Sequence, residues 1–191
     1  NILDLEFIKG FIRMCSDGFA QGWHERNGGN LTYRMKDEEV KQVACYFTNE
    51  REWDGIGTEV PHLAGEYFLT TGSGKFFRNV ELAPQENIGI VEIDETGTKY
   101  REVKKLASNG KHRVIYHCHA TNVIALTFVL PLKDEIFTRE LWEMATECPV
   151  VFPSGVGVVS WMVPGGKDIA VATSELMKKY DVAIWAHHGI F

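Results

Sequence analysis

Hydrophobic residues recur at helical spacing in four segments of the chain. In the first, the spacing i, i+3, i+4, i+7, i+11 predicts an amphipathic helix that ends near Gly22. Its apolar positions are Ile8, Phe11, Ile12, Cys15 and Phe19. The other three predicted helices are TNVIALTFVL with Thr121 or Asn122 as its N-cap, TRELWEMATE beginning at Thr138, and KDIAVATSELMKKY.

The segments between these helices have the pattern of β-strands. Apolar runs rich in β-branched and aromatic residues, bounded by glycine, proline or asparagine, predict strands. These runs are LTYRM, EYFLTTGSG, NIGIVEID, RVIYHCH, CPVVFPSG, VGVVSWMV and DVAIWAHHGIF. A mixture of strands and helices along one chain predicts an α/β fold in which the two pack as layers.

Composition and charge narrow the class of function. The 191 residues suffice for one compact domain, which we expect to span residues 1–191. A net charge of −6 offers no basic surface for nucleic acid, and no apolar run approaches the ~18 residues of a membrane span. The cysteines form no C-x-x-C pair, which predicts reduced, mostly buried thiols in a cytoplasmic protein. They are Cys15, Cys45, Cys118 and Cys148.

Histidines end two of the apolar strands. His117 and His119 are two residues apart, so on a strand their side chains point to the same face and both imidazoles reach one ion. The last strand ends in His187 and His188, followed by Gly189, where we expect the backbone to turn. Spacing does not choose between the adjacent pair. Three histidines with an open fourth position are typical of a catalytic zinc site.

Two glycine-rich segments contain the hydrogen-bond donors that an anion site needs. ERNGGNLTYR contains Asn27, Gly28 and Asn30, and TTGSGKFFRN contains Ser73. Glycine turns present successive backbone N–H groups to an anion, and asparagine and serine add donors. Neither segment matches a Walker loop or a dinucleotide-binding fingerprint. The two turns predict a phosphate site, the alternative being plain tight turns between strands.

These motifs resemble the zinc-dependent class II aldolase/adducin family along nearly the whole chain. The resemblance is carried by GWHERNGGNLTYR, TTGSGKFFRNV, NGKHRVIYHCHATNVIALTFVL, FTRELWEMATEC, VVFPSGVG and WMVPG. It implies an α/β/α domain around a largely antiparallel sheet, and a cytoplasmic homotetramer with its sites at subunit interfaces. It also implies metal-dependent, reversible cleavage of a carbon–carbon bond in a sugar phosphate, with no nucleic-acid or membrane partner.

The resemblance assigns roles to individual residues. It assigns zinc binding to His117, His119 and His188. His188 is chosen because the family's ligand directly precedes a glycine, here Gly189. Phosphate binding falls on the set Asn27, Gly28, Asn30 and Ser73. Glu147, in ATEC, matches an acid that assists proton transfer in the site of a neighbouring subunit.

The chain also departs from the family pattern. The family's principal catalytic glutamate lies in an S-E-x-P-x-H stretch between the VEID and HCH strands, and that stretch is absent here. The chain passes directly from Arg101 to Glu102, and the family continues past Phe191 with further helix. We expect both segments to exist in the full polypeptide, the alternative being an inactive, deleted variant. Neither Glu95 nor Glu102 is expected to replace the glutamate.

Four alternatives compete with this interpretation. A fuculose-phosphate aldolase or a pentulose-phosphate 4-epimerase would keep the metal and phosphate residues, although GSGKFFRNV and FTRELWE favour a different aldolase branch. An adducin-like head domain would keep the fold as a scaffold without catalysis. A Schiff-base aldolase would use a desolvated lysine such as Lys75 as nucleophile and would leave the histidines without a role.

Overall fold

The computed structural model describes residues 1–47, 53, 59, 61–94 and 113–191. These residues group into two compact units. The first lies within Asn1–Lys99 and Arg113–Tyr116, and the second begins at His117 and runs to Phe191. Each unit has its own hydrophobic clusters.

The first unit is built on a four-stranded sheet with the order β3-β2-β1-β4. Its strands are β1 (Asn30–Arg34), β2 (Tyr67–Thr71), β3 (Ile88–Glu92) and β4 (Val114–His117). β1 and β2 are antiparallel with Thr32 opposite Thr70, and β2 and β3 are antiparallel with Leu69 opposite Ile90. This register brings the start of β1 beside the end of β2.

Helices flank the first unit's strands along the chain. They are α1 (Glu6–Ala20), α2 (Asp37–Val43) and α3 (Pro84–Asn87), with 3₁₀ turns at Ile2–Asp4, Ala44–Tyr46, Pro61–Leu63 and Phe77–Asn79. α1 confirms the first predicted helix: Ile8, Phe11 and Cys15 are buried in one cluster with Leu31 and Leu69. Burial raises the pKa of Cys15 to about 12, as befits a core thiol.

The second unit combines four helices with a three-stranded sheet of order β5-β6-β7. Its helices are α4 (Thr121–Val129), α5 (Asp134–Met144), α6 (Cys148–Val151) and α7 (Lys167–Leu176), and its strands are β5 (Gly157–Val159), β6 (Ala183–Trp185) and β7 (Gly189–Ile190). β5 and β6 are parallel, whereas β6 and β7 are antiparallel. Phe137, Val156 and Ile184 form the centre of one cluster in this unit.

Two local predictions in the second unit are wrong. CPVVFPSG was predicted as a strand, yet residues Cys148–Val151 form α6, because Pro149 fixes φ at a helical value in the first turn, where its missing N–H is no loss. Ala120, not Thr121 or Asn122, occupies the N-cap of α4, and no side chain caps it.

The α/β class and the mostly antiparallel pairing are confirmed. The single-domain expectation stays a prediction. The junction Arg101–Glu102, together with Glu95 and His112, lies outside the described residues. Cys15 and Cys118 are buried, Cys148 is half-buried and Cys45 is exposed, and all four are free thiols. In the described ranges, every helix is too short or too polar to cross a membrane.

Candidate functional site

Three histidines from two separate parts of the chain converge in the second unit. His117 ends β4, His119 follows two residues later, and His188 comes directly before β7. One ring nitrogen of each lies within 4.8 Å of the others. The rings of His117 and His188 are nearly parallel with centroids 5.1 Å apart, and His119 meets His188 edge-on at 4.8 Å. The structure thus brings these three residues together as a histidine cluster.

Hydrogen bonding and stacking fix the orientation of His117, the buried member of the cluster. Its Nδ1–H donates to the carbonyl oxygen of Ile190 at 2.9 Å. A carbonyl only accepts, so in the neutral ring the lone pair lies on Nε2. Phe191 stacks on the imidazole at a centroid distance of 4.1 Å. His117 is therefore held in one tautomer and one ring orientation.

The spacing of one pair of ring nitrogens matches that of two ligands on a tetrahedral cation. Two ligands at ~2.0–2.1 Å from a tetrahedral zinc ion lie roughly 3.3 Å apart. The distance between Nε2 of His117 and Nε2 of His188 is 3.2 Å. His119 and His188 are half-buried, so the cluster is not sealed from solvent. The donor set could hold a divalent metal ion and leave a position for a further ligand.

Trp185 forms one wall of the histidine cluster. Its ring lies 5.5 Å from that of His117 and 5.3 Å from that of His188. The indole Nε1–H donates to Oγ1 of buried Thr173 at 2.7 Å, and that hydroxyl donates to the carbonyl of Ile169 within α7. Trp185 is thus anchored to α7 by this hydrogen bond.

The backbone turn at His187 positions His188 at the cluster. His188 N–H donates to Trp185 O at 3.1 Å, and His187 has a φ of 60°, a left-handed conformation that few side chains adopt. Buried Thr127 supports this turn, since its Oγ1 accepts from His187 N–H at 3.0 Å. The His187 ring contacts Oγ1 of Thr127 and the ring of Phe128. It therefore faces α4 and stands apart from the cluster.

The expectation that Gly189 is the turn residue is wrong. Gly189 begins β7 and is needed for a close approach instead. A Cβ there would lie 2.5 Å from Cys118 O, 3.0 Å from Cε1 of His117 and 3.1 Å from Cδ2 of His119. Any larger residue would push β7 or the imidazoles apart.

The two glycine turns lie at one end of the two central strands of the first unit's sheet. The asparagine–glycine turn (residues 26–30) leads into β1, and the glycine–serine turn (residues 72–75) follows β2. They are joined by Oγ1 of Thr71, which accepts from Leu31 N–H at 3.1 Å. Gly29 has a φ of 81° and Gly74 a φ of 69°, conformations that favour glycine.

Several hydrogen-bond donors at these turns face solvent. Asn27, Asn30 and Ser73 are exposed, and Gly28 is half-buried with its N–H bonded to Glu25 O. Among the described residues, the backbone N–H groups of Ser73 and Gly74 have no acceptor. The four predicted phosphate residues therefore lie at turns on two neighbouring strands, and three of them, Asn27, Asn30 and Ser73, have exposed side chains.

Glu147 lies apart from the histidine cluster within the second unit's described chain. It is the exposed N-cap of α6, and its carboxylate accepts from Oγ1 of Thr146 at 3.3 Å. Lys75, the rival nucleophile, is exposed at the glycine–serine turn. It lacks the burial that a Schiff-base lysine needs.

Two structural residues at these sites escaped the sequence analysis. Thr127 stands in an apolar helical run whose pattern gives no sign of the turn it supports. His24 lies in a polar stretch of the sequence, yet its hydrogen-bonded ring is buried. One of its partners, Gly28, is four residues away and could be considered from the local sequence. The other, Tyr116, is far away in sequence.

The sequence is similar to those of a known family and of named enzymes. Residues 9–191 match the family described as Class II Aldolase and Adducin N-terminal domain. A rhamnulose-1-phosphate aldolase of Klebsiella pneumoniae subsp. pneumoniae is 43% identical over 212 aligned positions, which cover 100% of this chain and 77% of the relative. A rhamnulose-1-phosphate aldolase of Salmonella paratyphi B is also 43% identical, over 213 positions that cover 100% of this chain and 78% of its own. Both alignments are longer than the 191 residues of the chain, so these relatives carry residues without a counterpart here.

Solved structures share the fold. A sugar-phosphate aldolase from Thermotoga maritima superimposes with a TM-score of 0.66 at 19% identity, covering 97% of this chain and 83% of its own. An L-fuculose-1-phosphate aldolase from Thermus thermophilus superimposes with a TM-score of 0.56 at 20% identity, covering 94% and 74%. By its sequence match and its fold, the chain belongs to the class II aldolase/adducin family.

Proposed function

We propose that the protein is a metal-dependent aldolase that reversibly cleaves L-rhamnulose 1-phosphate to dihydroxyacetone phosphate and L-lactaldehyde. The convergence of three imidazoles on one point is the observation that carries the reaction type. The choice of substrate rests on the 43% identity to rhamnulose-1-phosphate aldolases over the whole chain.

The histidine cluster is the proposed zinc site. Zinc held by three neutral imidazoles would supply a Lewis acid for the oxygen on which negative charge collects when the carbon–carbon bond breaks. The chain's own contribution is orientation: Ile190 O sets the tautomer of His117, and Phe191 and Trp185 hold the rings in place. Hydrogen bonds and packing contacts to metal ligands fix the geometry of those ligands and raise their basicity.

The two glycine turns are the proposed phosphate site. Backbone N–H groups of Ser73 and Gly74, and the side chains of Asn27 and Asn30, offer neutral donors in a chain with a net charge of −6. Holding the phosphate would position the sugar for reaction and reduce the entropic part of the barrier.

Glu147 is a proposed proton-transfer residue that acts in a neighbouring subunit of a homotetramer. Its exposed carboxylate and the exposed apolar side chains of this unit support both ideas. Those side chains include Phe128 (68% exposed), Val129 (74%), Val150 (80%) and Val151 (61%). Apolar residues exposed to this extent are typical of a protein–protein contact. Light scattering on the purified protein measures the oligomeric state directly.

Assays with three substrates test the proposed function. Purified protein loaded with zinc is given L-rhamnulose 1-phosphate, L-fuculose 1-phosphate and L-ribulose 5-phosphate, and aldehyde release and epimerisation are followed. We expect cleavage of the first at a kcat/KM well above that of the others. Preference for the second or third substrate would reassign the enzyme within the family. A well-folded, metal-free protein without activity on any of them would favour a scaffold.

A further inference from the structure

A buried imidazole in the first unit connects the two glycine turns. His24 is 3% exposed, although the segment around it is polar. Its Nδ1–H donates to Gly28 O at 2.9 Å, in the asparagine–glycine turn. Its face stacks on Phe77 with ring centroids 3.6 Å apart and planes within 7°. Phe77 opens the 3₁₀ turn that directly follows the glycine–serine turn.

A third contact sets the tautomer of His24. Nε2 is hydrogen-bonded to the hydroxyl of Tyr116 in β4. Because Gly28 O only accepts, the proton of the neutral ring is on Nδ1, and the Tyr116 hydroxyl donates to Nε2. The His24 ring thereby contacts Gly28 O in the asparagine–glycine turn, Phe77 after the glycine–serine turn, and Tyr116 in β4.

The sequence of α1 makes room for this arrangement. Gly18 lies near the end of α1, where glycine weakens a helix relative to alanine. A Cβ at this position would overlap the Tyr116 hydroxyl and lie 3.0 Å from Nε2 of His24. The space for the His24–Tyr116 pair therefore depends on the missing side chain.

We infer that His24 is a positioning residue for phosphate binding: it sets the spacing between the asparagine–glycine turn and the glycine–serine turn so that their donors meet one phosphate group. The inference rests on the proposed phosphate site. Gly28 is the point of contact. With its carbonyl held by His24 and its N–H bonded to Glu25 O at 2.8 Å, the peptide planes on either side of it have fixed orientations. The exposed donors at Asn27 and Asn30 flank this fixed point.

Two isosteric variants separate the roles of the two ring nitrogens. The amide of His24→Asn takes the place of Nδ1 and keeps a donor for Gly28 O. The amide of His24→Gln takes the place of Nε2 and keeps only the contact with Tyr116. Binding of inorganic phosphate is measured by calorimetry, and KM and kcat are measured with the sugar phosphate.

We expect His24→Gln to weaken phosphate binding and raise KM about tenfold, as for loss of one hydrogen bond, with kcat little changed. His24→Asn should stay within about threefold of the wild type. Val43→Ala, which truncates a buried residue of α2, is the stability control. It should lower the melting temperature without changing phosphate affinity.

Three results would overturn the inference. Equal phosphate affinity of His24→Asn and His24→Gln would show that the bond to Gly28 is irrelevant. Equal losses in His24→Gln and Val43→Ala would show a general effect of stability. Wild-type phosphate affinity in His24→Gln, Asn30→Ala and Ser73→Ala together would mean that the phosphate site itself is misassigned. Wild-type affinity in His24→Gln with weak binding by Asn30→Ala and Ser73→Ala would keep the phosphate site and reject only the role of His24.

Discussion

The histidine cluster and the glycine turns achieve ligand binding by opposite means. The cluster uses side chains that converge from the end of β4 and from the segment before β7. His117 stacks on Phe191, and Trp185 lies tilted beside His188. The turns use backbone groups and short polar side chains, and most of their donors face solvent. One site is built from packing, and the other from backbone conformation at positions such as Gly29 and Gly74.

This difference follows from the two ligands. A metal ion binds lone pairs at ~2.0–2.1 Å, so each imidazole must be held within a narrow range of positions. A phosphate has several acceptor oxygens and tolerates a set of weaker, individually replaceable donors. Single substitutions should therefore have large effects at the cluster and graded effects at the turns.

The largest expected effect is at His188. His188→Ala removes a proposed metal ligand, and we expect loss of the metal together with a fall in kcat of about a thousandfold or more, since a Lewis acid contributes several kcal/mol to the barrier. Its matched control is the neighbouring His187→Asn, because the His187 ring faces Thr127 and Phe128 and asparagine tolerates a φ of 60°. Elemental analysis and steady-state kinetics measure both. Equal metal loss in the two variants would contradict the assignment of His188.

The second effect tests the approach of β7 to the cluster. Gly189→Ala places a Cβ 2.5 Å from Cys118 O and near the rings of His117 and His119. We expect metal affinity to fall about 10–100-fold, as when the groups that hold metal ligands in place are lost. Gly89→Ala in β3 is the control, because nothing lies within 4 Å of its added Cβ. A competition titration with a chelating dye gives the affinities, and an unchanged value for Gly189→Ala would show that the backbone yields without moving the ligands.

The third effect tests the graded behaviour of the turns. Asn30→Ala and Ser73→Ala each remove one exposed donor, for which we expect a rise in KM of about tenfold or less, with metal content unchanged. The double variant should show roughly the product of the two effects. If either Asn30→Ala or Ser73→Ala alone abolished turnover as completely as His188→Ala, the proposed difference between the two regions would be contradicted.

The smallest effect compares two glycines of α1. Gly10 has open space around it, so Gly10→Ala should raise the free energy of unfolding by about 0.5–1 kcal/mol. Gly18→Ala should instead lower it by about 1–3 kcal/mol, because the new Cβ overlaps the Tyr116 hydroxyl. Urea denaturation of both variants measures the difference. Stabilisation by both would mean that Tyr116 moves away without cost.

Residue types made the cluster predictable and the turns less so. Only a few side chains bind metals, so His117 and His119, taken together with the histidine pair before Gly189, indicate a site, and strand alternation predicts His117 and His119 on one face. The family resemblance was needed to prefer His188 over His187. The structure supplies the physical reason, which is the left-handed backbone of His187 and its contact with Thr127. No sequence pattern reveals that conformation at a histidine.

The errors and omissions have local physical causes. CPVVFPSG has the composition of a strand, but Pro149 in the first turn favours α6. Gly189 was predicted as a turn because glycine usually serves there, whereas here it admits a neighbouring backbone. His24 is buried and hydrogen-bonded to Tyr116, a partner 92 residues away, and periodicity does not detect such a contact.

Titration of metal into stripped protein tests the central claim most directly. The protein is treated with a chelator until no metal remains, zinc is added back in steps, and cleavage of L-rhamnulose 1-phosphate is measured at each step. The three-histidine account predicts no turnover at the start, a linear rise to one ion per chain, and no recovery in His119→Ala. Full turnover in the metal-free protein, with a borohydride-trapped substrate adduct on Lys75, would contradict it.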